Sequence, residues 1–102
     1  MPLAQLPRGA MQACMLGGRE IVLCHTRAGV FALDNICTHA EARLSEGRLR
    51  KTRIVCPLHG AAFDLRDGRV LCSPAVHAVR AHPVRIHSEQ VEVDLSERAL
   101  PG

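Results

Sequence analysis

The sequence has neither tryptophan nor tyrosine, and its aromatic side chains are two phenylalanines, Phe31 and Phe63, in 102 residues. The core must therefore consist of valine, isoleucine, leucine and alanine side chains. A chain of about 100 residues forms one modest core and lies near the size at which a bound cofactor adds useful stability. We expect a single domain over residues 1–102, which a cofactor would help to stabilise.

Long apolar stretches are also missing, since no run approaches the roughly 20 residues needed to cross a bilayer. The first five residues, Met1–Gln5, lack the charged and apolar regions of a secretory signal peptide. These two absences predict a cytoplasmic protein with no membrane contact.

The charge balance is basic, with a formal net charge of +3 and a pI near 8.8. Four cations cluster on a short segment: Arg48, Arg50, Lys51 and Arg53. No aromatic platform or recognition motif accompanies them, so nucleic-acid binding is not expected. This run is interpreted as a solvated strand-edge face or as part of a docking surface for an acidic protein partner.

The cysteine count is odd, with Cys14, Cys24, Cys37, Cys56 and Cys72. A disulfide framework favours an even number in a secreted chain, so five cysteines indicate a reducing compartment. Cys14, Cys24 and Cys72 are expected to be structural or incidental thiols. Cys72 in particular is expected to be a small buried hydrophobic side chain.

Short apolar segments alternate with turn signals along the chain, which predicts an all-β domain with mostly antiparallel strands. Gly17-Gly18 is a hairpin turn signal between strands at 13–16 and 20–26. Ile21–Cys24 is apolar throughout, which predicts a strand covered on both faces. The remaining expected elements are strands at 30–33, 52–55 and 62–65, at most one helical turn within 41–49, and a hairpin that sets Val84 and Ile86 against Val91 and Val93.

Two short segments carry paired metal-ligand residues, Cys37-Thr38-His39 and Cys56-Pro57-Leu58-His59. Each offers one thiolate and one imidazole, which soft and borderline metals accept. A Rieske-type [2Fe–2S] cluster has two cysteines on one iron and two histidines on the other. A structural zinc ion also takes two of each in a tetrahedron. Zinc modules usually pair cysteine with cysteine, so the mixed loops favour the cluster.

The other four histidines have no partner at ligand spacing. They are expected to be surface or packed side chains: His25, His77, His82 and His87.

The residues around the motif resemble the Rieske ferredoxin family over most of the chain. The first loop is followed by Leu44-Ser45-Glu46-Gly47, and the second continues from His59 as Gly60-Ala61-Ala62-Phe63-Asp64. The resemblance implies the Rieske fold, an antiparallel β sandwich or barrel framework with a small cluster-binding subdomain, about 36–74, made of two ligand loops. A third, proline-containing loop around Ser73-Pro74-Ala75 would cover the cluster.

The resemblance also implies the cofactor and its ligands. One Rieske-type [2Fe–2S] cluster would be held by Cys37 and Cys56 on the buried iron and by His39 and His59 on the outer iron. The outer histidines would expose an imidazole edge toward a partner.

Four positions depart from the high-potential members of the family. Those members carry a disulfide between the two loops, where this chain has Ala42 and Leu58. They also carry a serine and a tyrosine that donate hydrogen bonds to sulfur, where this chain has Ala61 and Phe63. Such hydrogen bonds stabilise the reduced cluster and raise its potential. We therefore expect a midpoint near the low end of the Rieske range, about −150 mV.

The implied function is that of a low-potential ferredoxin, which carries single electrons from an NAD(P)H-dependent flavoprotein reductase to a multicomponent oxygenase, typically an aromatic ring-hydroxylating dioxygenase. It would not itself be an enzyme, because the chain has no room for the mononuclear iron domain of an oxygenase. Docking is expected at the cluster tip, near Ala40, Glu41 and Pro74, and the chain is expected to be a monomer. Two alternatives stay open: the small subunit of an assimilatory NAD(P)H nitrite reductase, and a zinc-stabilised interaction module.

Overall fold

The computed structural model describes residues 1–38, 42–58, 60–72 and 77–95. Within them the chain forms ten strands: β1 Met11–Leu16, β2 Arg19–Thr26, β3 Gly29–Asp34, β4 Arg48–Arg50, β5 Arg53–Val55, β6 Ala62–Asp64, β7 Val70–Cys72, β8 Ala81–His82, β9 Val84–His87 and β10 Gln90–Val93. Single 3₁₀ turns occur at Leu3–Gln5 and Leu44–Glu46. No helix among these residues is long and apolar enough to span a membrane. The all-β prediction is confirmed, and so is the single turn within 41–49.

The described strands form three antiparallel sheets. The framework sheet has the order β1-β2-β3-β8, a two-stranded sheet pairs β10 with β9, and a small sheet has the order β4-β5-β6-β7. The β1–β2 hairpin turns at Gly17 and Gly18, whose φ angles of 55° and 80° are the left-handed pair that a two-residue hairpin requires. The turn signal therefore predicted this hairpin correctly.

Strand β2 separates two hydrophobic cores. Val22 and Cys24 point into the core that also contains Cys37, Cys56 and Phe63. The alternate residues of the strand point into the second core, beside Leu6 and Val91. All four residues from Ile21 to Cys24 are 2% exposed or less, which confirms that both faces of the strand are covered.

The small sheet positions the second ligand loop. Strand β5 leads into Cys56 and strand β6 leads away from the loop, and Val55 pairs with Ala62 at its base. The first ligand loop follows β3 and is closed at its base by an antiparallel bridge between Ile36 and Arg43. Each loop is thus held by antiparallel pairing on both sides. The third loop around Ser73-Pro74-Ala75 lies outside the described residues, and the 36–74 bounds of the subdomain stay a prediction.

The C-terminal hairpin is present, with the predicted residues on its two strands. Val91 pairs with Ile86 and Val93 pairs with Val84. The φ angles in the turn are 50° at Ser88 and 61° at Glu89. This left-handed geometry matches the twist of the flanking strands.

The prediction of a buried Cys72 is wrong. Its side chain is exposed at the end of β7, a strand of three residues at the edge of the small sheet as far as the structure describes it. The Arg53 Nη1 atom lies 3.9 Å from the Cys72 sulfur. Cys24 does behave as a buried structural thiol, and burial raises its pKa to about 12. All five cysteines are free thiols.

Candidate metal centre

The two motif cysteines meet inside one core. Cys37 is 3% exposed and Cys56 is 2% exposed, and both pack in the cluster around Leu44 and Phe63. Burial raises the pKa of the Cys56 thiol, the Leu58 backbone N–H that donates to its sulfur lowers it, and the neighbouring Cys37 thiol raises it again. Two thiols from separate loops therefore face each other in an apolar setting, with a backbone donor already aimed at one of them.

The two loops are built alike. The Cys37 backbone N–H donates to the Ala42 carbonyl oxygen at 2.8 Å, and the Cys56 N–H donates to the Ala61 carbonyl oxygen at 2.7 Å. In each loop the cysteine is therefore bonded to the residue five positions later, so the chain turns back sharply after the thiol. Gly60, with φ 72°, supplies left-handed backbone in the second loop.

Gly47 allows the first loop to approach the second. A Cβ atom on this residue would overlap the carbonyl oxygen of Val55, the residue before Cys56. The turn at Leu44–Glu46 ends there with a hydrogen bond from the Gly47 N–H to the Leu44 carbonyl oxygen at 2.9 Å. Close contact with the Val55 backbone therefore explains why the Leu-Ser-Glu-Gly motif ends in glycine.

A buried amide anchors the first loop, and the sequence pattern did not reveal it. Asn35 is fully buried, and its Nδ2 donates to Glu20 Oε2 at 2.9 Å and to Ser45 Oγ at 3.0 Å. Its Oδ1 accepts the Ser45 backbone N–H at 2.8 Å. Arg43 Nε also donates to Glu20 at 2.7 Å, and the hydrogen bonds from Asn35 and Arg43 lower the pKa of Glu20. Strand β2 is therefore tied to both ends of the first loop.

The first loop is also tied to the chain that follows position 76. Thr38 Oγ1, next to Cys37, donates to the His77 carbonyl oxygen at 2.6 Å. The side chain of His77 is exposed, whereas His82 is buried with its Nε2 atom 2.8 Å from Asp34 Oδ1. His25 Nδ1 lies 2.7 Å from the Leu6 carbonyl oxygen. These side chains are surface or packed histidines, as predicted.

Of the four positions at which this sequence differs from the high-potential family members, three are buried and one is exposed. Ala61 and Phe63 are fully buried and Ala42 is 8% exposed, so they pack beside the thiols without offering a side-chain donor. Leu58 is 46% exposed and places an apolar side chain on the surface of the second loop.

The predicted ligands His39 and His59 lie outside the described residues, as do Ala40, Glu41 and Pro74. Within the described ranges no group of three or more metal-binding side chains gathers. What these ranges contain is the thiol half of the site. Two buried, unoxidised cysteines with a backbone N–H on one sulfur suit the buried iron of a [2Fe–2S] cluster, so the residues present fit this group.

Comparison with known proteins agrees with this site. Residues 1–83 match the Rieske [2Fe-2S] domain family. The chain belongs to this family, and its cofactor is a Rieske-type [2Fe–2S] cluster. It is 38% identical over 94 residues to the ferredoxin component of the naphthalene 1,2-dioxygenase system of Pseudomonas aeruginosa, covering 92% of this chain and 90% of that one.

Solved structures give the same picture. The ferredoxin of carbazole 1,9a-dioxygenase from Nocardioides aromaticivorans superposes with a TM-score of 0.88 at 35% identity, over 91% of each chain. A ferredoxin solved in complex with the oxygenase of carbazole 1,9a-dioxygenase has a TM-score of 0.85 at 26% identity, over 91% of this chain and 96% of that one. A putative nitrite reductase small subunit from Mycobacterium tuberculosis has a TM-score of 0.79 at 26% identity, over 90% and 88%.

Proposed function

We propose that this protein is the ferredoxin component of an aromatic ring-hydroxylating oxygenase system. It takes single electrons from an NAD(P)H-dependent flavoprotein reductase and delivers them to a terminal oxygenase. One observation carries this proposal: the buried thiols of Cys37 and Cys56 meet between two similar loops. It is supported by 38% identity to a ferredoxin component over nearly the whole chain. The nitrite reductase subunits show lower identity, so that alternative has less support.

Each ligand has a proposed role. Cys37 and Cys56 hold the inner iron, and His39 and His59 hold the outer one. When bound, the [2Fe–2S] cluster supplies a one-electron redox couple. The chain around it excludes water from the thiolates with apolar side chains, and the Leu58 N–H stabilises negative charge on the Cys56 sulfur.

Partners are proposed to dock at the tip formed by the two loops. Leu58 lies in the second loop with nearly half of its side chain exposed, and an exposed apolar residue of this kind suits a transient interface. The chain acts as a monomer in the cytoplasm, where NAD(P)H-dependent reductases work. None of its five cysteines forms a disulfide, which agrees with a reducing compartment.

Reconstitution tests this function. The protein replaces the ferredoxin in an assay with purified reductase and oxygenase of the Pseudomonas naphthalene 1,2-dioxygenase system, and NADH-dependent product is measured. We expect turnover well above the assay without ferredoxin. A red-brown protein that the reductase cannot reduce contradicts the proposal. Nitrite reduction on addition to a nitrite reductase large subunit supports the alternative, and a colourless protein with stoichiometric zinc contradicts the cofactor.

Phe63→Tyr is expected to raise the midpoint potential by tens of millivolts, because a hydroxyl at this buried position would donate to the Cys37 sulfur. The measurement is a potentiometric titration followed by electron paramagnetic resonance. Phe31→Tyr is the matched control, since Phe31 is the other phenylalanine, packs at the edge of the same core and should leave the potential unchanged. Equal shifts in both variants would disprove the second-loop geometry, and a wild-type midpoint above about +100 mV would contradict the low-potential assignment.

A further inference from the structure

Eleven of the thirteen lysine and arginine residues fall into two groups. Five arginines form ion pairs with carboxylates: Arg19, Arg43, Arg66, Arg69 and Arg85. Six further cations form no ion pair within the described part of the chain, and they are named here the basic strip: Arg8, Arg27, Arg48, Arg50, Lys51 and Arg53. All six side chains are exposed.

The basic strip is continuous across one side of the molecule. A depression beside the second ligand loop is lined by Arg48 together with Cys56 and Pro57. Arg48 also lines the next depression, which follows the β4–β5 hairpin to Arg53. This hairpin shares Lys51 with a cleft of about 610 Å³ that extends to Arg27 and Arg8. The strip therefore begins at the ligand loop and extends to the opposite end of the small sheet.

Carboxylates are scarce along the strip. Glu46 lines the depression beside the ligand loop, and no other acidic residue among those that the structure describes lines any of the three depressions. Asp64 lies opposite Arg53 in the β5–β6 ladder but is ion-paired with Arg66. The six cations of the strip outnumber these two carboxylates, so its surface is predominantly positive and attracts negative charge over a distance of about 10 Å at moderate salt.

The β4–β5 hairpin is electrostatically and conformationally unfavourable by itself. Arg50 lies directly opposite Arg53 in the ladder, and like charges in this position destabilise a sheet. Lys51, in the turn between them, has a φ angle of 57°, which is uncommon for a residue other than glycine. Carboxylates placed against this hairpin by a partner would relieve the charge repulsion.

The chemistry of the strip favours a protein over a nucleic acid. Phe31 and Phe63 do not line any of the three depressions, and the chain has no tryptophan or tyrosine on which bases could stack. His25 lines the cleft, but its Nδ1 atom lies 2.7 Å from the Leu6 carbonyl oxygen, which holds the ring against the protein. The strip also borders the second ligand loop, where an electron-transfer partner must sit. Charge complementarity speeds such encounters and fixes their orientation.

We propose that the basic strip is the docking surface for an acidic face of the electron-transfer partner. This inference rests on the proposed function. A partner seated on Arg48, Arg50 and Lys51 would cover the second ligand loop beside them, which holds the exposed Leu58 side chain.

Two inorganic oxidants of opposite charge test the strip. The reduced protein gives one electron to ferricyanide, forming ferrocyanide, or to hexaammineruthenium(III), forming the ruthenium(II) complex; no proton moves. In stopped-flow measurements we expect the ferricyanide rate constant to fall about tenfold from low to high ionic strength, while the ruthenium rate rises.

Charge-reversal variants locate the effect. Arg48→Glu with Arg50→Glu should lower the ferricyanide rate constant about tenfold at low salt. Arg69→Glu with Arg85→Glu is the control, since it changes the net charge by the same amount. It removes two exposed ion pairs that contribute little to stability, and it should leave the ferricyanide rate constant mostly unchanged. Lys51→Gly removes a positive charge and also the strain of a left-handed backbone. It should therefore raise the free energy of unfolding and lower the rate constant for oxidation by ferricyanide. This variant keeps the test valid if the double variant folds poorly.

Poly-L-glutamate tests the acidic polypeptide directly. It should slow the oxidation of the wild-type protein by ferricyanide but not that of the Arg48→Glu/Arg50→Glu variant. Poly-L-lysine should slow the oxidation of neither protein. Oxidants that react with no dependence on salt or on these variants overturn the strip and leave the carrier function intact. A protein that cannot be reduced at all overturns the proposed function instead. Tighter binding of duplex DNA than of poly-L-glutamate at matched ionic strength overturns the choice of a protein partner.

Discussion

His39→Ala and His59→Ala should each abolish the Rieske spectrum. With the proposed ligands, each change would leave the outer iron with one imidazole. Changes in the hydrogen bonds around a ligand already cost 10–100-fold in metal affinity, so loss of the ligand itself should cost more than about 100-fold. The two packed histidines are not available as substitute ligands, because His25 contacts the Leu6 carbonyl oxygen and His82 contacts Asp34. The measurements are iron and sulfide content and the g-anisotropy of the dithionite-reduced protein.

His87→Ala is the control for this pair. The His87 side chain is 69% exposed on strand β9, and its Nδ1 atom lies 3.9 Å from Glu92. Its removal should change neither the iron content nor the spectrum. Unaltered spectra in both His39→Ala and His59→Ala would refute the ligand assignment.

Seven of the ten described strands were predictable because their signals are local, whereas β4, β7 and β8, each of three residues or fewer, were not predicted. Paired glycines specify a two-residue turn, and the length and type of the turn then set the register, as in the β1–β2 hairpin. The run from Ile21 to Cys24 was readable for the same reason, since a strand apolar on both faces needs two cores and the chain builds two.

The thiol half of the site was predictable, but its supports were not. The spacing of Cys37 and Cys56 carried the prediction that they meet, because each belongs to a motif with known chemistry. Asn35 carries no such signal, since its partners Glu20 and Ser45 come from opposite sides in sequence and only the fold brings them together. An asparagine that directly follows an apolar strand could have suggested a buried amide between the strand and the loop. Its hydrogen-bond partners could not have been identified from the sequence.

Exposure of single residues was the least predictable property. Cys72 was expected in the core because free cysteines are usually buried, but edge position and strand length decided the outcome. The basic run likewise gave no indication that Arg8 and Arg27 lie on the same face, since the cleft that joins them to Lys51 forms between distant turns.

Gly68→Ala is expected to lower the free energy of unfolding by about 3 kcal/mol. The φ angle at Gly68 is 79°, which costs an alanine about 1 kcal/mol. A Cβ atom there would also overlap the Val79 carbonyl oxygen and come within 3.0 Å of its carbonyl carbon. Backbone would have to move, as in an overpacked core, at a further cost of about 2 kcal/mol. The measurement is the urea midpoint of the cluster-loaded protein.

Gly18→Ala separates the two contributions. Its φ angle is 80°, nearly the same, but a Cβ atom there meets nothing within 4 Å. This variant should therefore lose about 1 kcal/mol, from backbone conformation alone. Equal losses in the two variants would show that the chain does not approach Gly68 closely.

The same pair of variants tests whether this approach supports the metal centre. The Val79 N–H donates to the Gly68 carbonyl oxygen at 3.0 Å, and Val79 packs in the core that contains Cys37 and Cys56. Displacing the Val79 backbone should loosen the packing around both thiols, so Gly68→Ala should lose its cluster faster than the wild type on exposure to a chelator. Gly18→Ala changes a turn whose alanine would touch nothing, and it should lose the cluster at the wild-type rate despite its lower stability. Equal rates in both variants would mean that cluster retention follows global stability and not the contact between Gly68 and Val79.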